Sequence, residues 1–269
     1  MKNRVRTVIG VLIVLVLLFP LYWMVNASLQ PSGALLQASP DWFPVHPTFA
    51  GYTEAWHSQL PHLITSLIVA LGAVVVSLAI AAPAAYALAQ LKMRARPAIV
   101  FGILIVQMIP GIVMANALYT IFSKLGLIDS YLALILADCT ATIPFAILVL
   151  RAFMIGIPKE LPEAATVDGA GYWRTFTSII VPVSRNAMVT AALFSFLFAW
   201  ADFLFAVTMT TGQDIEPITV GIYRFVGNQT ADWNGIMATA VLASIPAAAL
   251  LVIAQRFVVA GVTGGAIKE

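Results

Sequence analysis

The sequence predicts an all-α, polytopic membrane protein: six transmembrane helices and one short helix on the water side. Three observations predict it. The 269 residues are 61% hydrophobic and only 10% charged, with a mean hydropathy of +0.96, whereas a soluble domain carries about a quarter of its residues as charges. Six apolar stretches reach the roughly 20 residues that a helix needs to cross a hydrocarbon core. The basic residues fall almost entirely into alternate connections between those stretches.

The first stretch, about Val8–Ala27, follows Lys2, Arg4 and Arg6. It continues through Phe19-Pro20-Leu21-Tyr22-Trp23-Met24, beyond the usual length of a signal-peptide core, and reads as a retained anchor. Ser28–His62 is a polar, Pro-rich connection. Its Trp42, Phe43, Phe49, Tyr52 and Trp56 are of the kind that settles at a membrane–water interface. It also holds His46, His57 and His62, the chain's three histidines. No His-Glu-x-x-His spacing is present, and no metal site is expected.

The second stretch, about 63–91, ends before Lys92, Arg94 and Arg96. The third, about 98–122, contains Gln107, Pro110 and Asn116, and a short turn at Gly126 and Asp129 follows. The fourth, about 131–153, contains Asp138, Thr140 and Thr142. A polar segment, about 158–183, separates it from the fifth stretch, about 186–210. The sixth, about 235–259, is preceded by a loop with Asp214, Glu216, Arg224 and Asp232, and by an Asn228-Gln229-Thr230 sequon read as chance.

An even number of spans puts both termini on one side. Lys2, Arg4, Arg6, Lys92, Arg94, Arg96, Arg151, Lys159, Arg174, Arg185, Arg256 and Lys268 then share one face, against Lys124 and Arg224 on the other. By the positive-inside rule that face is cytoplasmic. The net charge of +2 is uninformative as a total, and no nucleic-acid partner is expected.

Little in the chain suggests chemistry of its own. No lysine sits in the Gly-rich context of a phosphate-binding loop, and no Ser-His-Asp arrangement is readable. Neither a catalytic residue nor a bound cofactor is expected. The single cysteine, Cys139, excludes an internal disulfide and a thiolate cluster. Asp138 is the strongest signal inside a span, because a carboxylate in hydrocarbon is costly unless it faces a cavity or a partner. Thr142 shares its helix face one turn on. These two, with Trp200, Asp202, Gln107 and Asn116, form the expected substrate pathway. The alternative for each is structural: a paired carboxylate, an interfacial anchor, or an amide joining two helices.

The polar segment centres on Glu160-Leu161-Pro162-Glu163-Ala164-Ala165-Thr166-Val167-Asp168-Gly169-Ala170. Pro162 suits the first turn of a helix, Glu163 sits near the positive end of its dipole, and Asp168-Gly169 can end it in a left-handed turn. A second helical pattern, Tyr172 to Ile180, ends near Pro182. The expectation is a helix–turn–helix small enough to enter a groove on another protein.

Glu163-Ala164-Ala165, Asp168-Gly169-Ala170, Phe176 and Pro182 resemble the "EAA" loop of bacterial ABC-importer permeases. The tail Gln255-Arg256-Phe257 through Gly264-Gly265-Ala266-Ile267-Lys268 resembles the C-terminus of the carbohydrate, maltose-type branch. Phe198-Ala199-Trp200-Ala201-Asp202-Phe203-Leu204 is similar to the same branch, which commonly has Asn where Ala201 stands. The resemblance covers nearly the whole chain as one transmembrane domain, 1–269. It implies a bacterial inner-membrane permease that pairs with a second, homologous permease, two separate ATPase subunits and an extracytoplasmic sugar-binding protein. ATP and Mg would be used by the ATPase, and the sugar would pass between the permeases. Glu163, Ala164, Ala165, Asp168, Gly169 and Ala170 would then be the coupling residues. The competing readings are an ion-coupled secondary transporter using Asp138 and a non-transporting membrane scaffold.

Overall fold

The computed structural model describes residues 2–33, 35, 41–212, 214–228 and 233–263. Gln229 and Thr230 of the sequon, Asp232, and the tail motif from Gly264 onward lie outside the described residues. Every regular element among the described residues is helical: α1 (Lys2–Ser28), α2 (Ala50–Gln90), α3 (Arg96–Gln107), α4 (Gly111–Lys124), α5 (Tyr131–Met154), α6 (Glu160–Val167), α7 (Tyr172–Val183), α8 (Arg185–Ala201), α9 (Leu204–Met209), α10 (Ile218–Asn228) and α11 (Trp233–Thr263). Helices dominate because hydrocarbon offers backbone N–H and C=O groups no partner, so a span must satisfy them internally.

Helices α1, α2, α5 and α11 are each long and apolar enough to cross a membrane. Two bent pairs, α3–α4 at 93° and α7–α8 at 80°, raise the number to six if each is one span. The expected third span is therefore not one straight helix. The residue before a proline is pushed out of the helical region, and Pro110 (φ −59°, ψ 133°) starts α4 as an extended cap. The expected fifth span also stops early. Helix α8 ends at Ala201, Asp202 is extended, and α9 restarts at Leu204. In the other direction, α2 begins 13 residues before the expected Leu63 and takes in Trp56, His57 and His62. Helix α7 runs three residues past Ile180, through Pro182.

The chain divides into two compact units. The first comprises residues 1–63 and 220–246: α1, the start of α2, α10 and the start of α11. The apolar window of α1 is buried nowhere along its length. Asn234 is buried and ties this unit together. Its Nδ2 donates to Ser28 O at 2.8 Å and to Gln30 O at 2.6 Å. Gly51 makes room for it, since a Cβ there would stand 2.0 Å from Asn234 Oδ1.

The second unit comprises residues 64–219 and the chain from 247. Its core joins Ala81, Ala85 and Tyr86 of α2, Ala146, Leu150 and Met154 of α5, Phe176 and Ile180 of α7, and Ala187 and Ala191 of α8. Alanines let the helix backbones approach closely, which is how helices pack where lipid removes the hydrophobic drive. Gln90, at the end of α2, donates to Met154 O at 2.6 Å and Ile157 O at 3.1 Å. That pair of bonds holds the last carbonyl of α5 and the turn just beyond it.

Candidate functional site

Helix α6 is the surface element the sequence singled out. Pro162 lies in its first turn, with Glu160 and Glu163 beside the N-terminal end of its dipole. Thr166 Oγ1 back-bonds to Pro162 O at 2.9 Å. Gly169 is left-handed at φ 79°, with no atom within 4 Å of where a Cβ would stand. Around it the Gly169 N–H donates to Thr166 O at 3.1 Å and the Ala170 N–H to Ala165 O at 2.8 Å. These two bonds are the Schellman stop.

The helix is one-sided. Ala165 is buried, while Glu163, Ala164 and Asp168 are exposed. Around it stand Val167 at 88% exposure, Tyr172 at 76% and Trp173 at 69%. Behind that surface the segment is anchored. Phe176 is buried, 5.6 Å from the Tyr86 ring and 5.4 Å from the Trp173 ring. Phe176–Ile180 is a π-helical turn whose closing bond runs from Val181 N–H to Phe176 O. Turns of this kind are concentrated at functional sites. Displacing α7 therefore moves a side chain packed in the core shared by α2, α5 and α8.

The pathway residues of the sequence reading are only partly brought together. Asp138 is buried on α5, 5% exposed, and Asp202 lies within electrostatic reach of it. Trp200 is buried too, stacked on Phe196 at 5.4 Å. Asp202 also has a structural task. Its Oδ1 accepts from Phe205 N–H at 3.3 Å and its Oδ2 from Ala206 N–H at 2.9 Å, which caps α9. Thr142 does not face the Asp138 carboxylate. Its Oγ1 bonds to Ser77 Oγ at 2.6 Å and donates to the Asp138 main-chain carbonyl at 3.0 Å. Gln107 is exposed at the end of α3. Asn116 is exposed on α4, lining a shallow groove with Ile112, Val113 and Thr120.

Two residues with structural weight were not singled out from sequence. Ser77 looks like a small filler in an apolar run, yet it joins α2 to α5. By sequence Asp129 marks only a turn. The visible signal was Asp129-Ser130 ahead of an apolar run, because Ser130 is the N-cap of α5, accepting from Ala133 N–H at 3.2 Å. Among the described residues, no group of three or more His, Cys, Asp and Glu side chains could hold a metal.

All-helical, with four to six candidate spans and a short exposed helix between two of them, the chain is a polytopic membrane domain. Residues 78–264 match the family described as binding-protein-dependent transport system inner membrane component, and the chain belongs to that family. It is a multi-pass inner-membrane permease component of an ABC transporter, a subunit that is not itself an enzyme. It is 33% identical to the diacetylchitobiose uptake system permease protein DasC of Streptomyces coelicolor, over 97% of this chain and 95% of that one. It is 31% identical to the trehalose/maltose transport system permease protein MalG of Thermococcus litoralis, over 99% and 97%. A crystal structure of a bacterial ABC transporter that imports the acidic polysaccharide alginate superposes with a TM-score of 0.81, covering 95% of both chains at 21% identity. That match shows the fold.

Proposed function

We propose that the chain forms half of the translocation pathway of an ATP-driven carbohydrate importer and takes its drive through α6. The observation that carries the coupling part is the α6–α7 segment: exposed Val167, Tyr172 and Trp173 on one side, buried Phe176 on the other. A short helix presenting an apolar face fits a groove on a partner, and Phe176 gives it a rigid connection to the spans. The sugar class is supported by near full-length relatives named for diacetylchitobiose and for trehalose and maltose. The family's name supports a binding protein as donor. In a related alginate transporter, a pentasaccharide-bound periplasmic protein is in the complex.

In this reading the partners are a second permease, two ATPase subunits that use ATP and Mg, and the sugar-binding protein. Both termini and α6 are cytoplasmic, on the face rich in Lys and Arg. Closure of the ATPase pair moves α6, and the permease pair rocks to open its cavity outward. Asp138, with Asp202 within electrostatic reach, is the polar group offered to sugar hydroxyls, and Trp200 supplies an aromatic face two residues before Asp202. Gln107 and Asn116 extend that pathway from α3 and α4, while Thr142 serves it only by holding α5 to α2 through Ser77.

The test is reconstitution of the chain with its partners in vesicles. Sugar uptake should require ATP and the loaded binding protein. Uptake driven by a pH gradient with ATP absent would favour the ion-coupled reading through Asp138.

A further inference from the structure

A pocket of about 290 Å³ lies between the end of α2, the start of α3, α6 and α7. Lys92, Arg96 and Lys159 line it, against the single carboxylate of Glu163. Several polar groups there are already committed. The Gln90 amide is held by the end of α5, and the Thr166 hydroxyl by Pro162 O. One terminal nitrogen of Arg96 donates to Leu91 O, which fixes the guanidinium. Its Nε is buried with no partner among the described residues, and an unmade bond at a buried charged group is expensive. Arg96 Nε therefore lacks an acceptor among the described residues, in a pocket with two further cations.

Position selects the acceptor. Gln90 ends α2 and Arg96 opens α3, and both helices belong to the candidate spans. The pocket thus sits where spans meet water, the depth of phospholipid phosphates. A basic pocket at that depth suits a phosphate oxyanion, and an Arg fork with two lysines suits its geometry and charge. We propose that this pocket binds a phosphate group, supplied by the headgroup of an acidic phospholipid. A headgroup seated there bridges the α2–α3 elbow to α6. Its effect on drive rests on the coupling role proposed for α6; the binding itself does not.

The experiment uses the full chain, purified with its partner subunits, in nanodiscs of phosphatidylcholine with or without phosphatidylglycerol. Acetylation of Lys92 and Lys159 is followed by peptide mass spectrometry, with Lys124, outside the pocket, as internal reference. Phosphatidylglycerol should slow both lysines several-fold relative to Lys124. In detergent titrations, Lys92→Gln and Lys159→Gln should each weaken phosphatidylglycerol binding roughly fivefold. Protection by inorganic phosphate in phosphatidylcholine discs identifies the free oxyanion as a second source of the same ligand. Equal reactivity under all three conditions overturns the proposal, as does unchanged phosphatidylglycerol affinity in both variants. If the site binds as described while ATPase stimulation is indifferent to it, the binding site stands and only the headgroup's effect on drive fails, whereas the coupling role of α6 stands or falls with the Gly169 and Glu163 variants.

Discussion

The carboxylate of Asp129 holds the Thr211 turn by both of its oxygens: Oδ1 accepts from the Thr211 N–H at 2.6 Å and Oδ2 from the Thr211 hydroxyl at 2.5 Å. Gly212 N–H adds a third bond to Oδ1 at 3.0 Å. The Asp129 N–H in turn donates to Met209 O at 3.0 Å. The turn before α5 is thus latched to the end of α9, with Asp129 itself left-handed at φ 59°. Asp tolerates that conformation better than most residues.

This latch depends on the charge of Asp129. Some burial works against ionisation, but the bonds from Thr211 and Gly212 outweigh it and hold the carboxyl below its usual range. A depressed native value means that the latch contributes in full above the ordinary carboxylate range of about 4. It is lost as pH falls through the lower native value. Because Asp129 is exposed, the contribution is small, on the scale of surface interactions at roughly 1 kcal/mol or less. Hydrogen exchange at the Thr211 and Gly212 amides should quicken below about pH 4 once corrected for intrinsic rates. In Asp129→Asn those amides should already be less protected at neutral pH. Equal protection in the two proteins would mean that the carboxylate does not hold the turn.

The proposed orientation predicts a labelling pattern. Cysteines placed near Trp42 should react from outside with an impermeant thiol reagent, and cysteines near Arg94 or Thr166 should not. Background is low, since Cys139 is buried within α5. External labelling at Thr166 in intact cells would remove α6 from the ATPase side.

Asp138 and Thr142 should separate cleanly. Asp138→Ala is expected to lower sugar uptake while the complex still assembles, since Asp138 is the buried intramembrane carboxylate proposed for the pathway. Thr142→Val removes the bond to Ser77 and should act on stability, by about 0.6–1.7 kcal/mol as for other hydrogen bonds between membrane helices. Uptake corrected for the amount of assembled complex distinguishes the two. Normal uptake by Asp138→Ala takes the residue off the pathway, and failure to assemble makes it structural.

Local signals and tertiary ones part company in these residues. Apolar runs and the Gly169 stop are local signals: each run becomes helix, broken at Pro110 in the third and at Asp202 in the fifth, and Gly169 takes the left-handed turn. The early start of α2 was not local. Residues 50–62 look like a polar loop, but Gly221 of α10 approaches within contact of Gln59 and His62, so packing stabilises helix there. Asp202 was hidden for a different reason. An aspartate in an apolar run reads as a pathway group, and only the break at Asp202-Phe203 reveals that it also caps α9. Thr142 pointed to Asp138 by spacing alone. Its preference for Ser77 depends on which face of α2 lies opposite, and no spacing rule carries that information.

Gly169 and Glu163 test the centre of the functional reading. At φ 79°, any residue with a Cβ is strained by about 1–2 kcal/mol. Space is not the issue, as nothing lies within 4 Å of a Cβ at Gly169. Gly169→Val should therefore loosen the two bonds that end α6 without disturbing the spans. Glu163→Lys acts through charge. It sets a cation at the positive end of the α6 dipole and adds a fourth cation to the pocket of Lys92, Arg96 and Lys159 while removing its one carboxylate. Both variants should insert and assemble, because neither residue lies in a span. Stimulation of ATP hydrolysis by the loaded binding protein should fall about tenfold in each, the change that about 1.4 kcal/mol produces, and sugar uptake should fall with it. Binding-protein affinity should not change. Wild-type stimulation and uptake in both variants, measured in the same vesicles, would show that α6 is a passive surface loop and that drive enters this permease elsewhere.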